Sequence, residues 1–309
     1  MVSSLFLRDQ LKYVQNVVIE QDFPERLMAS GALVPISSEI PSGARTYAYN
    51  IMTFVGEAKI LANGGDDIPL VDGNAEQRVG HVRTLADGYS YSLDDLESAQ
   101  YANMNLDSTM AIAARDVIEA KIDLLGYDGD SENNLLGFLN HPNVPNATVL
   151  NDGADTNGNA STLWVNKTPD KIYRDLVNFA TATKVATNMV EIPENIGMPV
   201  AQFEQIASTP IQAGSDTTIL EMFLRTQRMS SAGVQSVVPL PYLAGKGTGN
   251  SDMMISWRKR ADKIKYHVPL SFEQQATQQQ NLGFKVICRA KVGGFQVSKP
   301  LSIRVAYGI

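Results

Sequence analysis

Three histidines and a single cysteine are the side chains of this sequence best suited to metal binding or nucleophilic chemistry. His81, His141 and His267 stand far apart, and none lies in an HExxH arrangement. Cys288 lies alone in the alternating run 284–288, so it can form neither an internal disulfide nor a CxxC metal site. We interpret the histidines as structural and the cysteine as a small apolar strand residue. The sequence therefore predicts no metal site and no cofactor.

The glycine-rich stretch 245–249 is a candidate for a phosphate-binding loop. Such a loop needs four residues between its first glycine and a Gly-Lys pair, followed by serine or threonine. Here Leu240 stands where the first glycine should be, and Gly247 follows Lys246. A GxSxG nucleophile elbow of a serine hydrolase is also missing from the sequence. The stretch is interpreted as a flexible loop.

Paired carboxylates at Asp66-Asp67 and Asp94-Asp95 are the remaining candidates for acid–base chemistry. The first pair lies in a turn-rich stretch, where a pocket that excludes water is hard to build. The second pair is explained by the favourable interaction of carboxylates with the start of a helix. Neither pair supports catalysis, so the residues favour a binding or structural protein over an enzyme.

Charge and composition narrow the class further. The chain has 309 residues, of which 44% are hydrophobic and 19% charged, and its formal net charge is −7 with a pI near 5.1. An overall basic field that would hold a polyanion is therefore missing. No apolar stretch is long enough to span a bilayer, so we expect no membrane association.

One basic run stands out from this acidic background. It contains Arg258, Lys259, Arg260, Lys263 and Lys265. Such a run could contact a phosphate backbone or an acidic surface of a neighbouring molecule. As a solvated face of the protein it would need no function at all.

The first 91 residues lack a core of their own. Residues 1–45 show no sustained period and are predicted to be an arm, whereas residues 46–61 alternate and a second extended run covers 78–91. Turn-forming residues lie between the two runs, among them Gly64, Gly65, Asp66, Asp67, Asp72 and Asn74. The stretch 46–91 is therefore expected to form a long β-hairpin that leans on its own body or on a neighbouring subunit.

The strongest helical pattern covers residues 107–125. Its apolar side chains recur at steps of three and four, and they are Met110, Ala114, Val117, Ile118, Ile122 and Leu125. Gly126 is expected to end this helix. A shorter helix is predicted just before it, with Ser92 as N-terminal cap and Asp95 three residues on.

Separated helices and strands follow a loop-rich segment at 127–168. Thr168 and Pro169 are expected to open a helix whose buried stripe is Ile172, Leu176 and Phe179. Short helices are predicted at 202–207 and 218–226, and strands at 237–239, 253–257, 264–268, 284–290, 294–297 and 301–306. This mixture indicates an α+β fold.

Several segments resemble the major capsid proteins of tailed bacteriophages. Residues 91–99, 105–107 and 113–115 look like the start of that family's long spine helix. Residues 136–144 read LGFLNHPNV and match the family's G-(L/F)-L-N-H-P-N-V signature. Residues 168–172 resemble the opening helix of the axial domain, and residues 293–303 resemble the closing strand. The collinear set reaches from about residue 45 to the end.

The resemblance implies the Hong Kong phage type of capsid fold. Placed on this sequence, it divides the chain into an N-terminal arm at 1–45, an extended loop at 46–91, a peripheral domain at 92–149 plus 284–309 with the spine helix at 107–125, and an axial domain at 150–283. The family often carries an N-terminal scaffolding segment that is cleaved, and we expect none in this sequence.

The resemblance also implies a function. The chain is expected to assemble, as pentamers and hexamers, into an icosahedral shell around the double-stranded DNA genome of a tailed phage. It would be made in the host cytoplasm and reside in the virion, with portal, scaffolding or decoration proteins as further partners. The basic run 258–265 would contact packaged DNA weakly, and the turn residues at 64–67, 72 and 74 would contact a neighbouring subunit.

Three alternatives stay open at this point. An encapsulin-like cellular nanocompartment would use the same fold for a shell that encloses an enzyme. A minor virion protein, such as a decoration or tail-tube subunit, would have a low copy number in the particle. A hydrolase with an unrecognised site would turn over substrate as a monomer.

Overall fold

The computed structural model describes residues 25–60, 69–101, 106–212, 214–229 and 233–309. In chain order, the elements of these ranges are β1 (Ile36–Ser37), β2 (Thr46–Val55), β3 (Asp72–His81), β4 (Arg83–Ser92), α1 (Leu93–Tyr101), α2 (Leu106–Asp128), β5 (Asn146–Thr148), β6 (Gly153–Ala154), β7 (Ala160–Ser161), α3 (Pro169–Ala186), β8 (Asn195–Met198), α4 (Val200–Ser208), α5 (Ile219–Met229), β9 (Ser236–Pro239), β10 (Met253–Trp257), β11 (Ile264–His267), β12 (Leu270–Gln274), β13 (Gln278–Gln280), β14 (Gly283–Val292), β15 (Gly294–Val297) and β16 (Ile303–Tyr307). Their mixture confirms the α+β class. None of the helices described combines the length and the apolarity that a membrane crossing requires.

A five-stranded sheet in the order β5-β16-β10-β8-β9 lies between two apolar cores. Successive side chains of a strand point to opposite faces, and β10 uses both. Ile255 and Trp257 belong to the core that α2 covers, whereas Met254 belongs to the core formed with α3, α4 and α5. Because both of its faces are buried, this sheet connects the core that α2 covers to the core formed with α3, α4 and α5.

The helix predicted at 107–125 is confirmed as α2, which begins one residue earlier and ends three residues later than predicted. Ala114, Ile118, Ile122 and Leu125 are buried as predicted, but Val117 is 55% exposed, so its assignment to the buried stripe is wrong. Gly126 does not end the helix: it lies inside α2, where a side chain would collide with Met28. Gly129, with a φ of 67°, follows the last helical residue and supplies the left-handed turn.

The hairpin consists of β2 and β3, which pair from Thr46 opposite His81 to Val55 opposite Asp72. The extended run predicted at 78–91 is divided at the buried Val82. Beyond it, β4 leaves the hairpin and pairs with β14 over its full length. The hairpin strand therefore ends at His81, and the prediction that it continues to residue 91 is wrong. The physical reason is that Tyr89 and Leu85 of β4 pack into the core beneath α2.

The later elements follow the sequence prediction closely. Helix α3 begins at Pro169 and buries Ile172, Leu176 and Phe179, although Thr168 makes no capping bond through its side chain. The expected capping box of α1 is present, since Asp95 N donates to Ser92 Oγ and Ser92 N donates to Asp95 Oδ2. Both donor–acceptor distances are 3.0 Å. The remaining predicted helices and strands correspond to α4, α5, β9, β10, β11, β14, β15 and β16.

Candidate assembly surfaces

The hairpin carries large apolar side chains into solvent at its outer end. Near its base the exposure of β2 alternates, but from Met52 onward both faces are exposed. The apolar side chains of this end share exposed fractions of 65% or more, and they are Met52, Phe54, Val55, Ile60, Leu70 and Val71. A surface of this kind is typical of a protein–protein contact. The sequence prediction missed it because it gave weight to the turn residues instead of the apolar pairs beside them.

The six turn residues predicted to contact a neighbour are only partly described. Gly64, Gly65, Asp66 and Asp67 lie outside the described residues. Asp72 and Asn74 are exposed and stand on β3, opposite Val55 and Thr53, instead of in a turn. Both therefore border the exposed apolar end of the hairpin, and their contact with a neighbour stays a prediction.

The base of the hairpin is held against the body by Tyr47. Its ring lies over Gly80, where a side chain would collide with it, and 4.7 Å from the ring of His267 between centroids. The Tyr47 hydroxyl donates to the carbonyl of Gly293 over 3.0 Å. His267 in turn contacts Gln296 Oε1 through Nε2 at 2.6 Å. The hairpin thus leaves the body from a packed attachment and not from a loose linker.

The described part of the arm, residues 25–45, packs on the chain's own body. Asp123 of α2 is buried, and its Oδ1 accepts hydrogen bonds from Met28 N at 2.7 Å and Ala29 N at 3.1 Å. Trp257 Nε1 donates to the carbonyl of Leu33 over 3.0 Å. Burial raises the pKa of Asp123, although its two backbone donors oppose that rise. The role of Asp123 escaped the sequence prediction, because a lone carboxylate on an apolar stripe resembles a surface residue.

Four of the five cations of the basic run form ion pairs within the chain. The ion pairs are Arg258 with Glu194 at 2.8 Å, Arg260 with Asp262 at 3.0 Å, Lys263 with Glu191 at 2.5 Å, and Lys265 with Glu39 at 3.2 Å. Lys259 donates to the carbonyl of Ala32. The pair of Lys263 and Glu191 is buried, so part of the run is not a solvated face. These partners explain the run structurally, and its contact with DNA stays a prediction.

The LGFLNHPNV segment completes the end of the spine helix. The last carbonyls of a helix lack partners within it and need donors from elsewhere. Three such bonds run from Phe138 N to Gly126 O at 2.8 Å, from Leu139 N to Tyr127 O at 3.0 Å, and from Asn140 Nδ2 to Asp128 O at 2.6 Å. Asn140 Oδ1 also accepts from Gly137 N over 2.8 Å. The signature therefore has a structural purpose, which is to cap α2.

The cysteine, two of the histidines and the glycine-rich loop have structural surroundings. Cys288 is fully buried, as its interpretation as a strand residue required. His141 and His267 are buried as well, and burial lowers the pKa of each. Lys246 of the glycine-rich loop binds Asp128 at the end of α2 over 2.6 Å. Within the described ranges, no three His, Cys, Asp or Glu side chains are grouped so that they could hold a metal ion.

A family model described as major capsid protein matches residues 56–309. The chain belongs to the major capsid protein family. It therefore has a structural role as a shell-forming subunit, and a capsid subunit resides in the virion. The predicted resemblance to tailed-phage capsid proteins is confirmed by this match.

Solved capsid structures share the fold. The capsid of Myoviridae phage XM1 is 18% identical and aligns over 99% of each chain with a TM-score of 0.79. The capsid of a native gene-transfer-agent particle is 10% identical, with 96% of this chain and 95% of that one covered and a TM-score of 0.65. A virus-like particle from Pyrococcus furiosus is 10% identical over 88% and 89%, with a TM-score of 0.52. No curated protein sequence matches the chain significantly. The Hong Kong phage type of fold and assembly into a multimeric shell follow from the family and these neighbours.

Proposed function

We propose that the chain assembles, as pentamers and hexamers, into an icosahedral shell that encloses the double-stranded DNA genome of a tailed phage. The observation that carries this proposal is the exposed apolar end of the hairpin. Phe54, Val55, Leu70 and Val71 are each at least 70% exposed, and nothing in the described part of the chain covers them. Burying one such side chain contributes about 1.5–3 kcal/mol, so a neighbouring subunit is the natural cover.

The proposed shell uses weak contacts that are repeated many times. Each hairpin would lie across the next subunit, whereas the described part of the N-terminal arm is held by its own chain. A contact of modest affinity becomes stable when closure makes the following contacts intramolecular. The proposed division places the extended loop at 46–91, the peripheral domain at 92–149 plus 284–309, and the axial domain at 150–283. Residues 83–91 then act as the root of the extended loop within the body sheet.

The experiment compares two hairpin variants by light scattering and electron microscopy. The double variant Phe54→Ser with Val71→Ser should stay folded but lose shells and rings at concentrations where the parent forms them. Thr53→Ser, an exposed polar exchange on the same strand, is the matched control. If the parent needs a scaffolding partner, the same partner is added to all three. Shells from the double variant in normal yield would show that the hairpin end is not an assembly contact.

Further partners belong to the same proposal. A portal, a scaffolding protein and decoration proteins would join the shell, and synthesis would take place in the host cytoplasm. Packaged DNA would contact the inner face weakly, through Arg258, Lys259, Arg260, Lys263 and Lys265. The ion pairs of four of these residues, all except Lys259, support weak contact at most, because strong phosphate binding needs uncompensated cations. Charge-neutral variants of exposed Arg260 and Lys259 should therefore package DNA almost normally.

A cellular nanocompartment is the second candidate function. The virus-like particle from Pyrococcus furiosus shares the fold over most of both chains, so shells of this fold are not limited to the phage capsids among the similar structures. The contents of a shell purified from its native source would distinguish the two candidates. Packaged double-stranded DNA supports the phage capsid, whereas a stoichiometric enzyme without DNA supports the nanocompartment.

A further inference from the structure

Helix α5 presents to solvent two arginines that form no ion pair among the described residues. Arg225 and Arg228 lie one helical turn apart and are exposed, and neither has a hydrogen bond or ion pair among the described residues. They line an open groove of about 570 Å³ together with Glu221, Leu224 and Met229, of which Met229 is 79% exposed. Unlike the cations of the basic run 258–265, each of which has a partner, these two arginines are unpaired within the described ranges and outnumber the one glutamate of the groove, so the surface is cationic and apolar.

Helix α1 presents the opposite surface. Asp94 and Glu97 are exposed, lie one turn apart, and have no partner among the described residues, whereas Asp95 is used in the capping box. Tyr101 is 96% exposed. Residues at steps of three and four share a face of a helix, so Asp94, Glu97 and Tyr101 form one acidic stripe that ends in an aromatic ring.

We propose that α1 of one copy docks antiparallel in the α5 groove of a second copy. In that alignment Asp94 stands at the level of Arg228, Glu97 at the level of Arg225, and Tyr101 beside Met222. The equal spacing of the two charged pairs is what makes both contacts possible at once. This inference rests on the proposed assembly and names one of its contacts.

The helix dipoles favour the same orientation. Asp94 lies in the first turn of α1 and Arg228 in the last turn of α5, where each charge already suits its own helix. Because α1 and α5 are different surfaces of one chain, each copy can offer α1 to one neighbour and the α5 groove to another, which makes the contact head-to-tail. Such contacts close into rings where the rotation between copies allows it, and rings are the units from which a shell of pentamers and hexamers is built.

A second copy fits this groove better than nucleic acid does. The chain has a net charge of −7, so every further copy brings an excess of carboxylates. A phosphate backbone would match the two arginines but would leave Met229 and the groove beside it in water. Within one chain α1 packs on β4 and α5 packs on α3 and α4, so the two surfaces remain available to other copies.

The test is a charge exchange measured by the lowest concentration at which rings or shells form. Arg225→Glu with Arg228→Glu reverses α5 and changes the net charge from −7 to −11, since each exchange adds −2. Asp94→Lys with Glu97→Lys reverses α1, and the four changes together restore −7. Lys121→Glu with Lys299→Glu, two exposed residues outside α1 and α5, is a control that also reaches −11. Circular dichroism verifies that each variant is folded.

We expect either reversed helix to raise the assembly concentration at least about tenfold, because an exposed ion pair changes an association constant about two- to fivefold and reversal adds repulsion. The fourfold variant should return to within about threefold of the parent, and the control should stay there. Rising salt should weaken assembly of the parent.

Distinct results would overturn the pairing. Normal assembly of the α5 reversal refutes it and leaves the proposed shell function intact. Failure of the fourfold variant to recover means that α5 meets another acidic surface. A reversal that loses only DNA binding assigns the groove to nucleic acid. A parent that never assembles, even with a scaffolding partner, refutes the shell function and this contact together.

Discussion

Replacing Asp123 is expected to release the arm segment from the spine helix. The Asp123 carboxylate is 1% exposed, and one of its oxygens accepts both Met28 N and Ala29 N. Asp123→Ala leaves two backbone donors without a partner, and each orphaned donor costs about 1–3 kcal/mol. Removal of a carboxylate whose charge is disfavoured by burial returns part of that cost. The expected loss in the free energy of unfolding is therefore about 2–4 kcal/mol.

Two matched variants isolate this effect. Asp123→Asn retains an Oδ1 that can accept both backbone donors, so its loss should be about 1 kcal/mol or less. Asp116→Ala removes the ion pair with Arg26, 3.2 Å long and at the edge of the same contact, and should cost about 1 kcal/mol at most. Urea unfolding below the assembly concentration, with equal protein in each sample, measures all three. An Asp123→Ala variant no less stable than Asp116→Ala would refute the reasoning.

Two further predictions concern the helix cap and the hairpin base. Asn140→Ala removes the bonds to Asp128 O and Gly137 N and should lower the free energy of unfolding by about 1–3 kcal/mol. The control Asn133→Ala, in the neighbouring exposed turn, should lower it by less than about 1 kcal/mol. Equal losses for the two variants in urea unfolding would contradict the capping role of Asn140. Burial lowers the pKa of His267 below its ordinary 6.5, so its stabilising contribution is complete above pH 6.5 and is lost as pH falls towards the lowered pKa. His267→Gln should therefore lose less unfolding free energy than the parent between pH 7 and pH 5, and an unchanged loss would show that His267 does not cause it.

Local patterns in the sequence were sufficient for the elements but not for their partners. The period of three and four residues predicts α2, and the capping box at Ser92 predicts where α1 begins, because both are interactions between near neighbours. The pairing of β4 with β14 joins segments about two hundred residues apart in sequence, and alternation within each strand cannot specify it. For the same reason the sequence does not reveal the break at Val82, and residues 78–91 are predicted as one continuous extended run.

The wrong assignments at Val117 and Gly126 have a common cause. Both residues fit a local rule, but the neighbours that decide their environment come from distant parts of the chain. The arm segment approaches α2 at Gly126, so the glycine there makes room for Met28 instead of ending the helix. The exposed apolar end of the hairpin was not predicted, because alternation within one strand does not show whether its apolar side chains are buried by the same chain or by another molecule.

Because Cys288 is buried, thiol reagents should not react with the native chain. Its thiol is fully buried on β14, the strand that pairs with β4, β12 and β13, and burial raises its pKa. A thiol reacts as the thiolate and only when it is reached by the reagent, so labelling requires that the sheet open around β14. The labelling rate of Cys288 thus measures how often that sheet opens. A cysteine added at the exposed hairpin end can be labelled selectively in the native protein, and Cys288 need not be replaced.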